Sequence, residues 1–446
     1  MKDNLFALRK TCAGLLILCI SSSTLFAQGK LTPPLGPPTE TMKSLDQIDT
    51  HIAQVGEARI PIDAAHTPGN DIDEFAIDKP GSYYLIANAN ITHFTGIRVR
   101  APGVTLDLNG FQLKGGAASN GAGIVVEGVD CTVKNGSISG FDTGVFGSPD
   151  GGIIAHLIVS GSKTSGITAN SNWQITDCLS RDNGLGFIVG SNCTLKQCSA
   201  YYNRGTGIFI QTNSIATHCT AFSNQGEGIS ATDHCGLFQC SASYNKSASS
   251  SSFGINVGHG STVIDCMAAL NATTNATPGA SKGGGIRAGT GSTVKDCTTE
   301  GNAGDGIQAL SSCTVSGCTS TNNGVGTTGS GIATDIRAAI SGCTAIGNKA
   351  DGIVFSGDSF VLNNHASLNG GAGFHDIGSA SRIDGNVSRE NIGLGIFAAT
   401  IDTVVRNNSV ANGNSAPNNQ YGPTVGPNWG PTGATANTST SPWANF

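Results

Sequence analysis

The sequence predicts an all-β solenoid, a right-handed parallel β-helix of about 14 coils, on the strength of three observations. The 446 residues include 63 glycines but only 3 tryptophans and 3 methionines, which is typical of many short strands joined by turns. A glycine followed by an apolar residue recurs about every 21 residues, and cysteine and asparagine recur at fixed distances after it. A constant period of this length indicates stacked, similar units.

The glycine repeat sets the length of a coil. From Gly166 on, most steps between successive glycines are 20 to 22 residues, and longer steps of 26, 31 and 25 residues indicate insertions at 246–252, 272–284 and 324–330. The register survives each insertion, so the scaffold is expected to continue through them. The repeating glycines are Gly96, Gly123, Gly144, Gly166, Gly186, Gly207, Gly228, Gly254, Gly285, Gly306, Gly331, Gly352, Gly373 and Gly395.

Two further series keep register with the glycines. A cysteine stands twelve residues after eight successive glycines and a small residue usually follows two positions later, as in a strand with one inward face. An asparagine stands seventeen residues after the glycines, where its amide can bond its own turn and the next coil. The cysteines are Cys178, Cys198, Cys219, Cys240, Cys266, Cys297, Cys318 and Cys343; the asparagines are Asn183, Asn203, Asn224, Asn245, Asn271, Asn302, Asn323, Asn348, Asn369 and Asn412.

Each coil is therefore predicted to contain three strands. Strand one is the Gly-Ile segment, strand two the Thr-Val or Thr-Leu segment, and strand three the Cys-x-Ala segment. Coils stacked about 4.8 Å apart would form three parallel sheets around a core of Ile, Val, Leu, Cys and Ala. Leucine-rich repeats have a similar period, but this chain lacks their leucine-rich consensus.

The cysteines after residue 27 allow two interpretations. They fit the core as small apolar side chains, because Asn364 and Asn407 take the same place in later coils. Neighbouring coils also lie within the Cα separation of a disulfide, so bridges between coils remain open. Spacings such as Cys193 to Cys198 do not match zinc sites, and no metal site is predicted.

Residues 1–27 have the pattern of a cleavable secretory signal, with basic residues ahead of the apolar run Leu15–Ile20. That run is too short to span a bilayer, and no later segment is expected to do so. The mature protein is therefore predicted to be secreted, periplasmic or at the cell surface. A net charge of -6 without a basic run argues against a nucleic-acid partner.

The two ends of a solenoid expose unpaired strand edges, which invite aggregation unless they are covered. We expect residues 28–95 to form a linker and N-terminal cap, 96–415 the β-helix, and 416–446 a tail that covers the last coil.

Several motifs resemble exported bacterial right-handed parallel β-helix repeat proteins of the pectate-lyase-like superfamily. They are Pro80–Leu85, Val104–Phe111 and Val133–Ile138, together with the glycine, cysteine and asparagine series. The resemblance covers roughly Ile77 to Ala411. It implies a polysaccharide or cell-surface glycan as partner and often a lyase, hydrolase or epimerase activity, although many members are known only as repeat proteins.

The outward positions of strand one contain the densest polar cluster that the register produces. Asn256 and Arg287 occupy equivalent positions on adjacent coils, His259 lies in the turn beyond Asn256, and Asp233 is its equivalent one coil earlier. The whole outward row is Thr168, Ile188, Phe209, Ser230, Asn256, Arg287, Gln308, Ala333, Val354 and His375. A second polar group consists of His375-Asp376 and Arg382–Asp384, for which surface salt bridging is an equal explanation.

Removal of the proton beside a uronate carboxylate needs a base and a cation or Ca²⁺ that neutralises the carboxylate. We hypothesise that Arg287 is the neutraliser, His259 the base and Asp233 its orienter. The remaining members of the cluster, Asn256, Gln308, Asp335 and His234, are candidate substrate-binding residues. Scattered polar residues are equally expected on a solvated sheet.

The sequence thus favours a protein that binds polysaccharide along strand one, with lyase-like β-elimination of a uronate-containing glycan as the candidate reaction. A glycoside hydrolase is less favoured because paired carboxylates are not evident on strand one. The alternative is a non-catalytic structural or adhesive protein of the cell surface. Ca²⁺ is the one cofactor considered, as an optional partner of the uronate.

Overall fold

The computed structural model describes residues 59–117, 120–247, 252–273, 283–325, 328–398, 403–406 and 408–411. Every helix or strand assigned in these ranges is a β-strand, and all strand pairs are parallel, which confirms the predicted parallel β-solenoid. No helix in the same ranges is long and apolar enough to cross a membrane. The predicted signal at 1–27 and tail at 416–446 lie outside the described residues.

Strand one forms a sheet of 15 strands in which each strand pairs with its equivalent in the next coil. Its strands are Asp73–Ile77, Thr95–Val99, Ala122–Val126, Thr143–Gly147, Ser165–Ala169, Leu185–Val189, Ile208–Ile210, Ile229–Ala231, Phe253–Val257, Gly284–Ala288, Ile307–Ala309, Ile332–Thr334, Ile353–Phe355, Phe374–Asp376 and Ile396–Ala398.

Strands two and three form two further ladders, as predicted. They are joined into one 29-stranded sheet because the long strands Cys131–Ser139 and Gly152–Ser160 run through both ladders. The other strands of ladder two are Ile60–Ile62, Ser82–Leu85, Thr105–Asp107, Trp173–Thr176, Thr194–Lys196, Ile215–Thr217, Gly236–Phe238, Thr262–Ile264, Thr293–Lys295, Thr314–Ser316, Ala339–Ser341, Phe360–Leu362, Arg382–Asp384 and Val404–Arg406. Those of ladder three are Ala89–Ile91, Gln112–Gly115, Leu179–Arg181, Ser199–Tyr201, Thr220–Phe222, Ser241–Ser243, Met267–Ala269, Thr298–Glu300, Thr319–Thr321, Thr344–Ile346, His365–Ser367, Val387–Arg389 and Ser409–Ala411.

The stack begins before Gly96, inside the segment expected to be a cap. Strand Asp73–Ile77 pairs in parallel with Thr95–Val99, so Glu74 stands where later coils have glycine, and the repeat rule does not detect this coil. The preceding loop covers the free edge of the strand. Ala76 donates its backbone N–H to the Thr67 carbonyl, and Pro68 forms an antiparallel bridge with Phe75.

A ladder of buried asparagines ties the coils together between strands three and one. Asn302 Oδ1 accepts the backbone N–H of Asn271 at 3.0 Å and its side-chain Nδ2 at 3.0 Å, and Asn302 Nδ2 donates to the Ala268 carbonyl at 2.8 Å. Equivalent bonds run from Asn183 to Asn391. The repeat rule omits Asn391, because its coil is one residue longer, and Asn412 lies outside the described residues.

From Gly166 to Gly373 the glycine repeat follows from this ladder. A Cβ atom on Gly228 would lie 2.6 Å from Asn245 Nδ2 and 2.8 Å from the Ala242 methyl group, which is closer than real Cβ contacts. The start of strand one therefore lacks a side chain because the amide of the following turn occupies that space.

The cysteine series is buried in the core. The structure has twelve described cysteines, all free thiols. Cys240 is representative, since its Sγ donates to the Ala216 carbonyl at 3.4 Å. Asparagines replace cysteine in the last coils as expected, but the third member is Asn408 rather than Asn407, because Asn408 bonds Asn386 and Asn386 bonds Asn364.

We expect Asn302→Ala to destabilise the stack strongly. The substitution leaves the buried Asn271 N–H without a partner and removes one of the hydrogen bonds to the Ala268 carbonyl, and an unsatisfied buried group costs about 1–3 kcal/mol. The measurement is the denaturant midpoint followed by circular dichroism, with the exposed strand-two change Thr194→Ala as control. Equal denaturation midpoints for the two variants would show that the asparagine ladder does not stabilise the stack.

We expect the twelve described cysteines to be unreactive toward an aromatic disulfide reagent in the folded protein and all to react after unfolding. Burial excludes the reagent and also raises the pKa of the thiols of Cys131, Cys193, Cys235 and Cys313, which lowers their thiolate fraction. Counting released chromophore with and without denaturant, under non-reducing conditions, tests this. A smaller total after unfolding would show that coils are bridged by disulfides.

Candidate functional site

The outward row of strand one has the predicted order. Ser230 pairs with Asn256, Asn256 with Arg287, and Arg287 with Gln308, so these side chains stand on consecutive strands of one sheet. Adjacent parallel strands lie about 4.8 Å apart. Asn256, Arg287 and Gln308 are half-buried and form the central polar row of this face.

The central polar row combines a fixed amide with an available cation. Asn256 Nδ2 donates to Glu227 Oε1 at 2.8 Å. This bond fixes the orientation of the Asn256 amide, with its oxygen on the side away from Glu227. Within the part of the chain that the structure describes, no hydrogen bond or ion pair involves the Arg287 side chain. The N–H groups of the Arg287 guanidinium are therefore not engaged by any described residue.

The turn after strand one brings Asp233, His234 and His259 together through the backbone. Asp233 Oδ1 accepts the backbone N–H of His259 at 2.7 Å, and the His234 N–H donates to the His259 carbonyl at 2.8 Å. The hydrogen bond of Asp233 thus holds the main chain and not the imidazole of His259. One carboxylate oxygen of Asp233 is thus engaged by the main chain, and the orientation of the His259 ring by Asp233 stays a hypothesis.

Asp335 does not join either group. It is exposed in the turn after Ile332–Thr334, three coils beyond the turn of His259, which corresponds to about 14 Å along the stack. Its backbone N–H donates to the Ala309 carbonyl. The predicted cluster therefore separates into the central polar row, the turn of Asp233 and His259, and an isolated Asp335.

The insertions flank the central polar row, and the stems of two of them pair with each other. Lys246–Ser247 and Ala272–Thr273 form a short parallel ribbon outside the main sheets. Residues 248–251, 274–282 and 326–327 of the insertions lie outside the described residues. The ordered stems leave the coils directly before strands Phe253–Val257 and Gly284–Ala288, which carry Asn256 and Arg287.

A carboxyl group that the repeat analysis overlooked lies at the edge of the same face. Asp305 precedes strand Ile307–Ala309 and accepts the Ser330 N–H at 2.7 Å. Burial raises the pKa of Asp305 above its usual range, although the bond from Ser330 acts in the opposite direction. Its hydrogen bond to Ser330 ties this turn to the next coil.

The first coils contain an ion-pair network in an open cleft of about 500 Å³. Asp73, almost fully buried, bonds Arg98 Nε at 2.8 Å and an Nη of Arg100 at 2.7 Å, and Arg98 also pairs with Glu127 at 2.6 Å. Arg98 belongs to the same outward row as Arg287, but its donors are committed to carboxylates. The network consequently stabilises the first coils and offers little free charge to a ligand.

The second predicted polar group divides between two faces of the solenoid. His375 Nδ1 lies 2.8 Å from Asp351 Oδ2, a residue of the previous coil, and the ring centre lies 4.8 Å from that of Phe397. Asp376 instead is buried, where it accepts the Thr403 hydroxyl at 2.7 Å. Arg382 and Asp384 pair on the strand-two face. His375 and Asp351 are 24 residues apart in sequence and become neighbours because their coils stack.

Within the described ranges, no three His, Cys, Asp or Glu side chains converge as ligands of a metal ion. The remaining chemistry of the face is that of amides, an arginine, histidines and aromatic rings.

The family model described as right handed beta helix region matches residues 79–246 and 216–364. No curated protein matches the chain. Among solved structures, the chain is similar to a double mutant of the periplasmic alginate epimerase AlgG, at 12% identity and a TM-score of 0.43 over 72% of this chain and 85% of the other. It is similar to the A-module of the Azotobacter vinelandii mannuronan C-5 epimerase AlgE4, at 13% identity and a TM-score of 0.33 over 78% and 90%. A pectate lyase gives 14% identity and a TM-score of 0.30 over 71% and 73%. These similarities concern the fold alone.

Proposed function

Because the chain belongs to the right-handed β-helix family, whose coils present one flat row of side chains per sheet, we propose that it binds an acidic polysaccharide along the strand-one face. The observation that carries the proposal is the free guanidinium of Arg287 between the amides of Asn256 and Gln308. A guanidinium binds a carboxylate in a bidentate, charge-assisted pair. The flanking amides supply donors and acceptors for sugar hydroxyls.

The electrostatics of the row favour a sugar acid over a neutral sugar. Arg287 has no carboxylate partner among the described residues, so its guanidinium can pair with the carboxylate of a sugar acid, which a neutral sugar lacks. An exported protein, as the N-terminal sequence suggests, would meet such a polymer in the periplasm or at the cell surface.

The catalytic form of the proposal is β-elimination. Arg287 would neutralise the uronate carboxylate, His259 would take the proton from the adjacent carbon, and the electron pair of that C–H bond would form the new double bond as the glycosidic oxygen leaves. His259 is exposed in the turn that follows Asn256, and its backbone is fixed by Asp233. The non-catalytic alternative retains the binding row without proton transfer.

We expect Arg287→Ala to weaken binding of a polyuronate at least about tenfold, which corresponds to about 1.4 kcal/mol. The binding should also weaken with added salt, because an ion pair at a half-exposed site is screened. Isothermal titration with a polyuronate and a neutral glucan measures both effects. Arg389→Ala, an exposed arginine on strand three, is the matched control. An unchanged affinity for Arg287→Ala, or an equal loss for both variants, contradicts the proposal.

If the site catalyses elimination, we expect His259→Ala to abolish the ultraviolet absorbance of the unsaturated product while polyuronate binding persists. Arg287→Ala should lose both, since it removes the neutralising cation. The assay follows absorbance with and without Ca²⁺, and circular dichroism confirms that each variant is folded. Bound polyuronate with no absorbance change in the unmodified protein would leave the non-catalytic binding function.

A further inference from the structure

A second constellation lies on the strand-one face beyond the central polar row. The register runs from Arg287 through Gln308, Ala333 and Val354 to His375. His375 is therefore four coils from Arg287, which is about 19 Å at the usual strand spacing. We call His375, Asp351 and Phe397 the distal triad.

The distal triad is held rigidly. One oxygen of Asp351 lies 2.8 Å from His375 Nδ1, and the other accepts the Ala372 N–H at 2.6 Å. A carboxylate fixed at both oxygens also fixes the ring that bonds it. Because Nδ1 is engaged, Nε2 is the ring nitrogen left to bond a ligand.

The rings of His375 and Phe397 stand side by side on adjacent coils. Their centres are 4.8 Å apart and their planes are inclined by 46°. Both side chains are half-buried at the outward position of strand one, so each ring shows part of its surface to solvent. An aromatic surface beside a fixed polar atom suits a sugar ring, which has apolar C–H faces and hydroxyl edges.

The surface of strand one between the central polar row and the distal triad has no large or charged side chain. Its outward residues, Ala333 and Val354, are small and uncharged. Each coil advances about 4.8 Å, close to the length of one sugar residue in an extended 1,4-linked polymer. A polysaccharide lying along the stack would thus advance by about one sugar for each coil.

We propose that the distal triad is a second sugar-binding subsite, and that the ligand is an acidic polysaccharide segment of about five or more residues that spans from Arg287 to Phe397. The inference rests on the proposed function, since the first contact is the ion pair at Arg287. His375 and Phe397 contact the sugar, and Asp351 is a positioning residue that fixes the His375 ring.

The test compares the affinities of a uronate trimer and a uronate hexamer by titration. Only the hexamer can reach both sites, so it should bind the unmodified protein at least about tenfold more tightly than the trimer. His375→Ala and Phe397→Ala should each weaken hexamer binding toward that of the trimer and leave trimer binding unchanged. Arg389→Ala is again the control, and thermal melting verifies folding, with His375→Gln as a milder variant.

The outcomes separate the two proposals. Equal affinities of the trimer and the hexamer, or full hexamer affinity in both His375→Ala and Phe397→Ala, would overturn the distal subsite while the site at Arg287 stands. If the unmodified protein binds neither oligomer, the proposed function fails and the distal subsite fails with it.

Discussion

The buried asparagine ladder is the interaction on which the rest of this structure depends. Each amide accepts a backbone N–H of the preceding coil and donates to a backbone carbonyl of that coil, so the spacing between coils is set by hydrogen bonds inside the protein. Because the amide fills the space at the start of strand one, that position must be glycine in the coils that contain the ladder, from Gly166 to Gly373. A side chain there would displace a buried amide and leave polar groups without partners.

The rigidity of this ladder determines where function can be located. Inward positions are committed to the core, and the turns of Asp233 and Asp305 use their carboxylates to hold backbone N–H groups. The outward positions of the strands face solvent, and on strand one they contain the central polar row. The insertions leave the coils beside this row through the paired stems Lys246–Ser247 and Ala272–Thr273. The central polar row consequently differs from the rest of strand one only in the side chains at its outward positions, while the backbone repeat is unchanged.

The row itself was predictable, but the partners of its residues were not. A strict period places Asn256, Arg287 and Gln308 on successive strands, and the pairing agrees. The period does not say which atom a carboxylate bonds: it placed Asp233 beside His259, but the bond formed goes to the His259 backbone N–H. His375 shows the same limit, because its partner Asp351 is 24 residues earlier and neighbouring only through stacking.

Sequence alone determined the parallel solenoid, the three strands of each coil and the order of the outward side chains, because each follows from a period that hydrogen bonding between coils must respect. Tertiary structure decided which charges are free. Arg98 and Arg287 occupy equivalent positions, yet the carboxylates of Asp73 and Glu127 engage the first, and none in the described residues engages the second. The difference depends on which carboxylates each arginine side chain can contact and on the geometry of the turns, and the repeat pattern specifies neither.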